Sequence, residues 1–190
     1  MGHLQRTDFS KDLLTRGLEI ASRLRGGVPS GSEIQEDDFL NREFKGVVID
    51  ALGLDAVITG VLKQRIEEVK KCLNAKASLA VIFLCGSALE GILLGVATQN
   101  VIQFNQAALS PKDKNGNVRR LYDWTLNDLI NVARELGLLG EDVKKFSHVL
   151  RDFRNYIHPY QQISSGFDPD QHTARICWQV LQAAIVQLSK

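Results

Sequence analysis

Residues 77–97, ASLAVIFLCGSALEGILLGVA, are apolar on nearly every side. A helix without a polar face has to be surrounded, either by other helices in a core or by lipid. The stretch is long enough for a membrane span, but Glu90 lies at its centre, Gly86, Gly91 and Gly95 interrupt it, and no second segment like it follows. These features favour a buried central helix with no membrane contact. Gly86, Ser87, Gly91 and Gly95 would let a neighbouring helix approach closely. A carboxylate inside such a helix needs a partner, because an unpaired buried charge is costly. Arg151 and Arg154 are the candidates, so Glu90 either orients a site or belongs to a structural ion pair. With 190 residues, 44% hydrophobic and 24% charged, the chain is large enough to wrap such a helix in one domain.

The rest of the chain supplies the wrapping. Phe9, Leu13, Leu14, Leu18, Ala21 and Leu24 follow helical spacing between residues 7 and 25, and Gly26-Gly27 stop that helix. Residues 28–50 form a long connection with an acidic run at 33–38. Helical rhythm returns at 54–73, with Ile58, Val61, Leu62, Ile66, Val69 and Leu73 on one side. Residues 101–123 read as a second long connection, marked by Ser110-Pro111 and Asn115-Gly116. Thr125 opens a helix with Asp128 at the capping-box position, and Gly137 is placed to stop it. Another helix begins near Glu141. A polar break follows Pro159, and Ala174, Cys177, Val180, Leu181, Ala184, Ile185 and Leu188 make a last helix. Five or six helices without a convincing strand predict an all-α bundle.

A net charge of +1 excludes a uniformly basic nucleic-acid binder, so RNA or DNA contacts need a local patch. Lys112, Lys114, Arg119 and Arg120, with Tyr122 and Trp124 close behind, form such a patch; they could grip single-stranded RNA or be a solvated loop. Cys72, Cys85 and Cys177 have no paired spacing and read as reduced core residues of a cytoplasmic protein. No secretory signal is expected. A P-loop, a dinucleotide-binding glycine pattern, HExxH and CxxC are all missing, so no cofactor and no metal site is expected.

One helix carries chemistry. In 146–160, FSHVLRDFRNYIHPY, the residues Phe146, Val149, Leu150, Phe153 and Ile157 recur at three- and four-residue steps. If the helix continues to Pro159, then Arg151, Arg154 and His158 share roughly a 60° sector beside the buried stripe, with His158 in the last turn. A guanidinium binds phosphate through a planar fork and an imidazole titrates near neutrality, a pairing suited to phosphodiester chemistry. The plainer alternative is that the arginines pair with carboxylates such as Asp152 and that His158 caps the helix end.

RDFRNYIHPY resembles the signature of the HEPN superfamily, small α-helical domains found in prokaryotic defence systems and toxin–antitoxin pairs. In that family an Arg, usually followed by a polar residue such as Asn, precedes a His by four to six residues. Arg151 precedes His158 with six intervening residues; Arg154, which carries Asn155, has three. The string GSALEG also resembles a core helix of HEPN-like proteins, so the resemblance covers roughly 54–188. It implies a single domain over 1–190: a bundle of four core helices within 54–188, with an added N-terminal helix and connection over 1–50 and a C-terminal helix. It further implies a homodimer and metal-independent cleavage of RNA by 2′-hydroxyl attack, leaving a cyclic phosphate. His158 would move protons, Arg154 or Arg151 would neutralise the phosphate, Asn155 would orient them, and Glu90 and Asp152 would support the site. Tyr156 and Tyr160 join the basic loop as candidate RNA contacts, and an antitoxin or regulatory protein is a possible partner. The other readings are an RNA-, nucleotide- or protein-binding module without catalysis, and a motif that only stabilises a dimer.

Overall fold

The computed structural model describes the backbone at 44, 47–155, 158–166 and 168–189, and the side chains there except at 146, 149, 152–155, 161 and 165. The expected helix at 7–25, its Gly26-Gly27 stop and the acidic run at 33–38 lie outside these residues. The described chain is all-α: seven α-helices, two 3-10 turns and one isolated bridge, Lys112 to Val118, with no strand among the described residues.

After a 3-10 turn at Ile49–Leu52, helix α1 runs over Ala56–Asn74. The Asp55 side chain accepts the Val57 N–H at 2.8 Å and so satisfies one of the first-turn donors. Its buried positions, Thr59, Leu62, Ile66 and Val69, recur every three or four residues, and the charged residues take the other faces. Helix α2, Ser78–Gln99, buries Val81, Ile82, Cys85, Ala88, Leu89, Ile92, Leu93, Val96 and Ala97. A Cβ added at Gly95 would stand 3.0 Å from Leu54, and one at Gly91 would stand 3.4 Å from Leu62. The glycines therefore do what their spacing suggests: Gly91 lets α1 lie against α2, and Gly95 admits Leu54 just ahead of α1. Arg65 of α1 also donates to the Ser87 hydroxyl.

Among the described residues, α2 alone is long and apolar enough to cross a membrane; half of its most apolar window, with a mean hydropathy of 2.2, is buried inside the protein. Its wrapping is completed by α4, Leu126–Glu135, by α5, Glu141–Asn155, and by α7, Gln171–Leu188, all of which pack on it. Cys85 of α2 and Cys177 of α7 meet in this core, where burial pushes both thiols up. Cys72 is half-buried, and all three cysteines are free.

Two short helices depart from the sequence expectations. Part of the connection at 101–123 is helix α3, Val101–Gln106. Its Phe104 is fully buried, 6.1 Å between ring centroids from Trp124, and the Ser110 hydroxyl approaches the Phe104 carbonyl at 2.5 Å. The Glu135 carboxylate accepts the Ala108 and Leu109 N–H groups at 2.6 and 2.8 Å, so the connection is tied down at both ends. The polar break after Pro159 is likewise a helix, α6, Pro159–Ser165. Proline supplies a ready φ at the first helical position, and Gly166, at φ 63°, supplies the left-handed stop.

Other boundaries fall where local chemistry puts them. Thr125 and Asp128 make a complete capping box at the start of α4, and Gly137 turns the chain at φ 73°. Asp170 caps α7 by accepting the Thr173 N–H at 2.7 Å. The Gly140 N–H, just before α5, donates to Gln187 near the end of α7 at 2.7 Å, which fixes where the motif helix begins.

Candidate functional site

Helix α5 buries Val143, Ser147 and Leu150 against the core. This leaves His148 and Arg151, three residues apart, on an edge that faces α4. Helix α4 presents Asn127 and Asn131, one turn apart, on the matching edge. Arg151 Nη1 donates to Asn127 Oδ1, and the same nitrogen lies 3.3 Å from His148 Nδ1. His148 Nε2 lies 3.1 Å from Asn131 Oδ1. Because Arg151 can only donate, Nδ1 must accept; the proton then sits on Nε2, which donates to Asn131. The result is a hydrogen-bonded ladder across the α4–α5 seam.

The ladder keeps His148 neutral. Burial, and after it the charges of Arg151 and Lys144, push its pKa from 6.5 down to about 4, against a smaller opposing pull from Glu141. The two acceptors that meet Arg151 Nη1 here, Asn127 Oδ1 and His148 Nδ1, are therefore uncharged at neutral pH.

The same depression makes stability depend on pH, with a sign that can be stated. The neutral ring is favoured by folding, so its contribution is complete above 6.5 and falls as pH drops from 6.5 towards 4, where the unfolded chain binds the proton first. With the ring partly reached by solvent, the loss is on the order of 1–2 kcal/mol. Urea denaturation across that range should show it. In His148→Gln the component should vanish, and an unchanged slope in that variant would assign it elsewhere.

His158 stands where the sequence did not put it. Helix α5 is described as far as Asn155, and His158 is the residue before α6, with extended backbone at φ −80° and ψ 115° and an exposed side chain. Pro159 disfavours the helical conformation in its predecessor, and here His158 is extended and not part of a last helical turn. The shared sector therefore holds for the positions of Arg151 and Arg154 on α5 but does not extend to His158. The exposed imidazole sits at a joint between two helices, with its backbone carbonyl accepting the Gln162 N–H at 3.0 Å.

The remaining candidates divide. The side chains of Arg154, Asn155 and Asp152, and all of Tyr156, lie outside the described residues. Tyr160 is 88% exposed, two residues after His158. Glu90 is half-buried on α2 and is not sealed in the core. Lys112, Lys114, Arg119 and Arg120 are exposed on a turn organised by Asp113, whose carboxylate accepts the Asn115 and Asn117 N–H groups at 2.8 and 2.9 Å. Those bonds hold the Asp113 carboxyl below its usual range. Arg120 lies 3.8 Å from Asp123. Trp124 is not available for base stacking: it is buried, and its indole N–H donates to the Arg119 carbonyl at 2.9 Å. Tyr122, 79% exposed, is the aromatic of this loop that a base could reach. The loop ends at Thr125, two residues before Asn127, so it leads directly to the ladder that holds Arg151.

Sequence reading missed Asn127, Asn131 and His148. The signal was present as two polar pairs at helical spacing, each on an amphipathic helix, but nothing in one dimension says that the two edges meet. Among the described residues no three His, Cys, Asp or Glu side chains gather as a metal site. Comparison with family models, curated proteins and solved structures finds no match to this chain.

Proposed function

We propose that the chain is a metal-independent endoribonuclease of the HEPN type, acting in the cytoplasm. What supports the reading is the motif RDFRNYIHPY, in which His158 follows Arg151, together with the exposed placement of His158 just before α6 and the position of Arg151 on α5. The six residues between them agree with the HEPN pattern. In this mechanism the RNA 2′-oxygen loses its proton and bonds to the adjacent phosphorus, the bond to the 5′-oxygen breaks, and that oxygen takes up a proton. The products are a 2′,3′-cyclic phosphate and a 5′-hydroxyl. One imidazole cannot remove and deliver protons at the same moment, so a homodimer that brings two copies of His158 to one cleft supplies both the base and the acid. Arginine charge counts most when the phosphorus is pentacoordinate and its oxygens are most negative. An antitoxin or regulatory partner, as in prokaryotic defence systems, would restrain such an activity.

One observation favours a second reading, a module that holds RNA without cutting it. His158 is not carried on α5, so no single helix fixes its distance from Arg151 or Arg154. The two readings separate on ordinary RNA: a nuclease of this kind cuts it, and leaves intact the same RNA with its 2′-hydroxyl replaced by hydrogen at the cut site. Cutting of that substrate would exclude the 2′-hydroxyl mechanism. Binding of ordinary RNA that weakens with salt and yields no product would establish the module.

A further inference from the structure

We infer that the hollow between the start of α1 and the last turns of α2 is a pocket for one unpaired guanine base of an RNA strand. The inference rests on the RNA-directed reading of the chain and names the base that the chain would select; it makes no use of Arg151. The hollow measures about 300 Å³, at the small end of the range for ligand sites, which suits a single base better than an extended ligand. Its lining is largely apolar, with Leu54 and Ile58 from the approach to α1 and its first turn, Leu94 from α2, and Gly91 and Gly95 leaving part of α2 bare of side chains. Tyr122 stands at its mouth, 79% exposed. The ring is held in place by its neighbours, since Leu121 before it and Trp124 after it are both buried. An apolar hollow with an exposed aromatic ring at its edge takes an unstacked base, because every base offers a π face.

The polar groups of the lining decide which base. The Thr98 hydroxyl donates to the Leu94 carbonyl at 2.8 Å, and Gln99 Nε2 is turned to the Gly53 carbonyl. What remains for a ligand is mainly acceptors: Thr98 Oγ1, Gln99 Oε1 and the Asp55 carboxylate, whose Oδ1 takes the Val57 N–H at 2.8 Å and whose Oδ2 meets no donor among the described residues. A ligand that fits must therefore bring N–H donors on a flat ring. Guanine carries N1–H and the N2 amino group side by side on its Watson–Crick edge, a pair that a carboxylate can accept together, whereas adenine and cytosine set one amino group beside an acceptor and uracil sets one N–H between two carbonyls. The strand's phosphates have a partner close by in Arg119, three residues before Tyr122, which is exposed and forms no ion pair among the described residues. Its backbone is pinned on both sides: its N–H donates to the Pro111 carbonyl at 2.9 Å, and its carbonyl accepts the Trp124 indole N–H at 2.9 Å.

The test is equilibrium binding of the full-length protein to short single-stranded RNAs that differ only in one position, guanine in the first and adenine, cytosine or uracil in the others. Wild type should bind the guanine RNA about tenfold more tightly than the rest, a usual worth of one well-paired base edge. Asp55→Asn keeps a side chain that caps α1, so it should melt as wild type does and yet lose that preference. Tyr122→Ala should weaken binding of all four RNAs by about tenfold, a usual worth of one stacked base, and Tyr122→Phe should restore it. Equal affinity for the four RNAs, a preference that survives Asp55→Asn, or full affinity in Tyr122→Ala would overturn the inference, and so would a wild type that binds no RNA. The nuclease reading is scored separately, by product. Guanine-selective binding without cutting leaves the pocket standing and removes the nuclease, whereas cutting without a base preference in binding removes the pocket alone.

Discussion

His158→Ala lowers RNA cleavage by about 10²–10⁴-fold while leaving the melting temperature within about 1 °C of wild type. The activity loss follows from the role of the imidazole as the proton-transferring group, whose removal is worth that range in comparable reactions. The unchanged stability follows from its surroundings: the ring is exposed, no side-chain cap is made by His158, and the backbone bond to Gln162 does not depend on the side chain. Substitutions at exposed sites of this sort usually change stability by less than about 0.5 kcal/mol. A thermal melt and a cleavage time course on the same preparations check both halves. A variant that cuts as fast as wild type removes His158 from the mechanism. A variant that fails to fold would contradict the exposed placement.

Phe104→Ala is expected to cost about 3–5 kcal/mol, a large share of the stability of a domain this size. Phe104 has no solvent exposure, and it fills the space between α2 and Trp124 at the point where the long connection turns back. The ring is the only large buried anchor of α3, a six-residue helix too short to persist without tertiary contacts. Its removal leaves a cavity and frees the Ser110 and Glu135 attachments that position the basic loop. Chemical denaturation measures the effect. A loss under about 1 kcal/mol would mean that the connection is held by its polar contacts and not by this ring.

How much of this was legible in the sequence depended on the range of the interaction. The central helix could be read from 77–97 because a segment apolar on all sides has few places to go, and its glycines announced the close approach that Leu62 of α1 and Leu54 just ahead of it display. The capping box at Thr125 and Asp128 and the stop at Gly137 were legible for the same reason, since both are made by residues within a few positions of each other. Helices α3 and α6 were not, because periodicity needs more than two turns to stand out from a loop. The Pro159 signal was read correctly as a boundary but placed at the end of one helix, whereas it starts another.

The candidate site shows the same division. The motif residues were found because they are close in sequence, and Arg151 and Arg154 keep their spacing on α5. Asn127, which accepts from Arg151, and Asn131, which meets His148, come from α4, across a seam that only the packed bundle creates. Trp124 was grouped with exposed aromatics because composition near a basic loop suggests stacking; the structure gives that ring to the core and leaves Tyr122 outside. Burial of this kind depends on which face of a short element turns inward, and a 3-10 turn of three residues carries no pattern that reveals it.

The central claim is most directly tested by incubating the purified wild-type protein with single-stranded RNA in EDTA, beside DNA of the same sequence, and analysing the ends of any product. The account predicts that RNA is cut to 2′,3′-cyclic phosphate and 5′-hydroxyl ends and that DNA survives. Intact RNA, cleavage that requires a divalent metal, or products ending in 3′-hydroxyl and 5′-phosphate would contradict it.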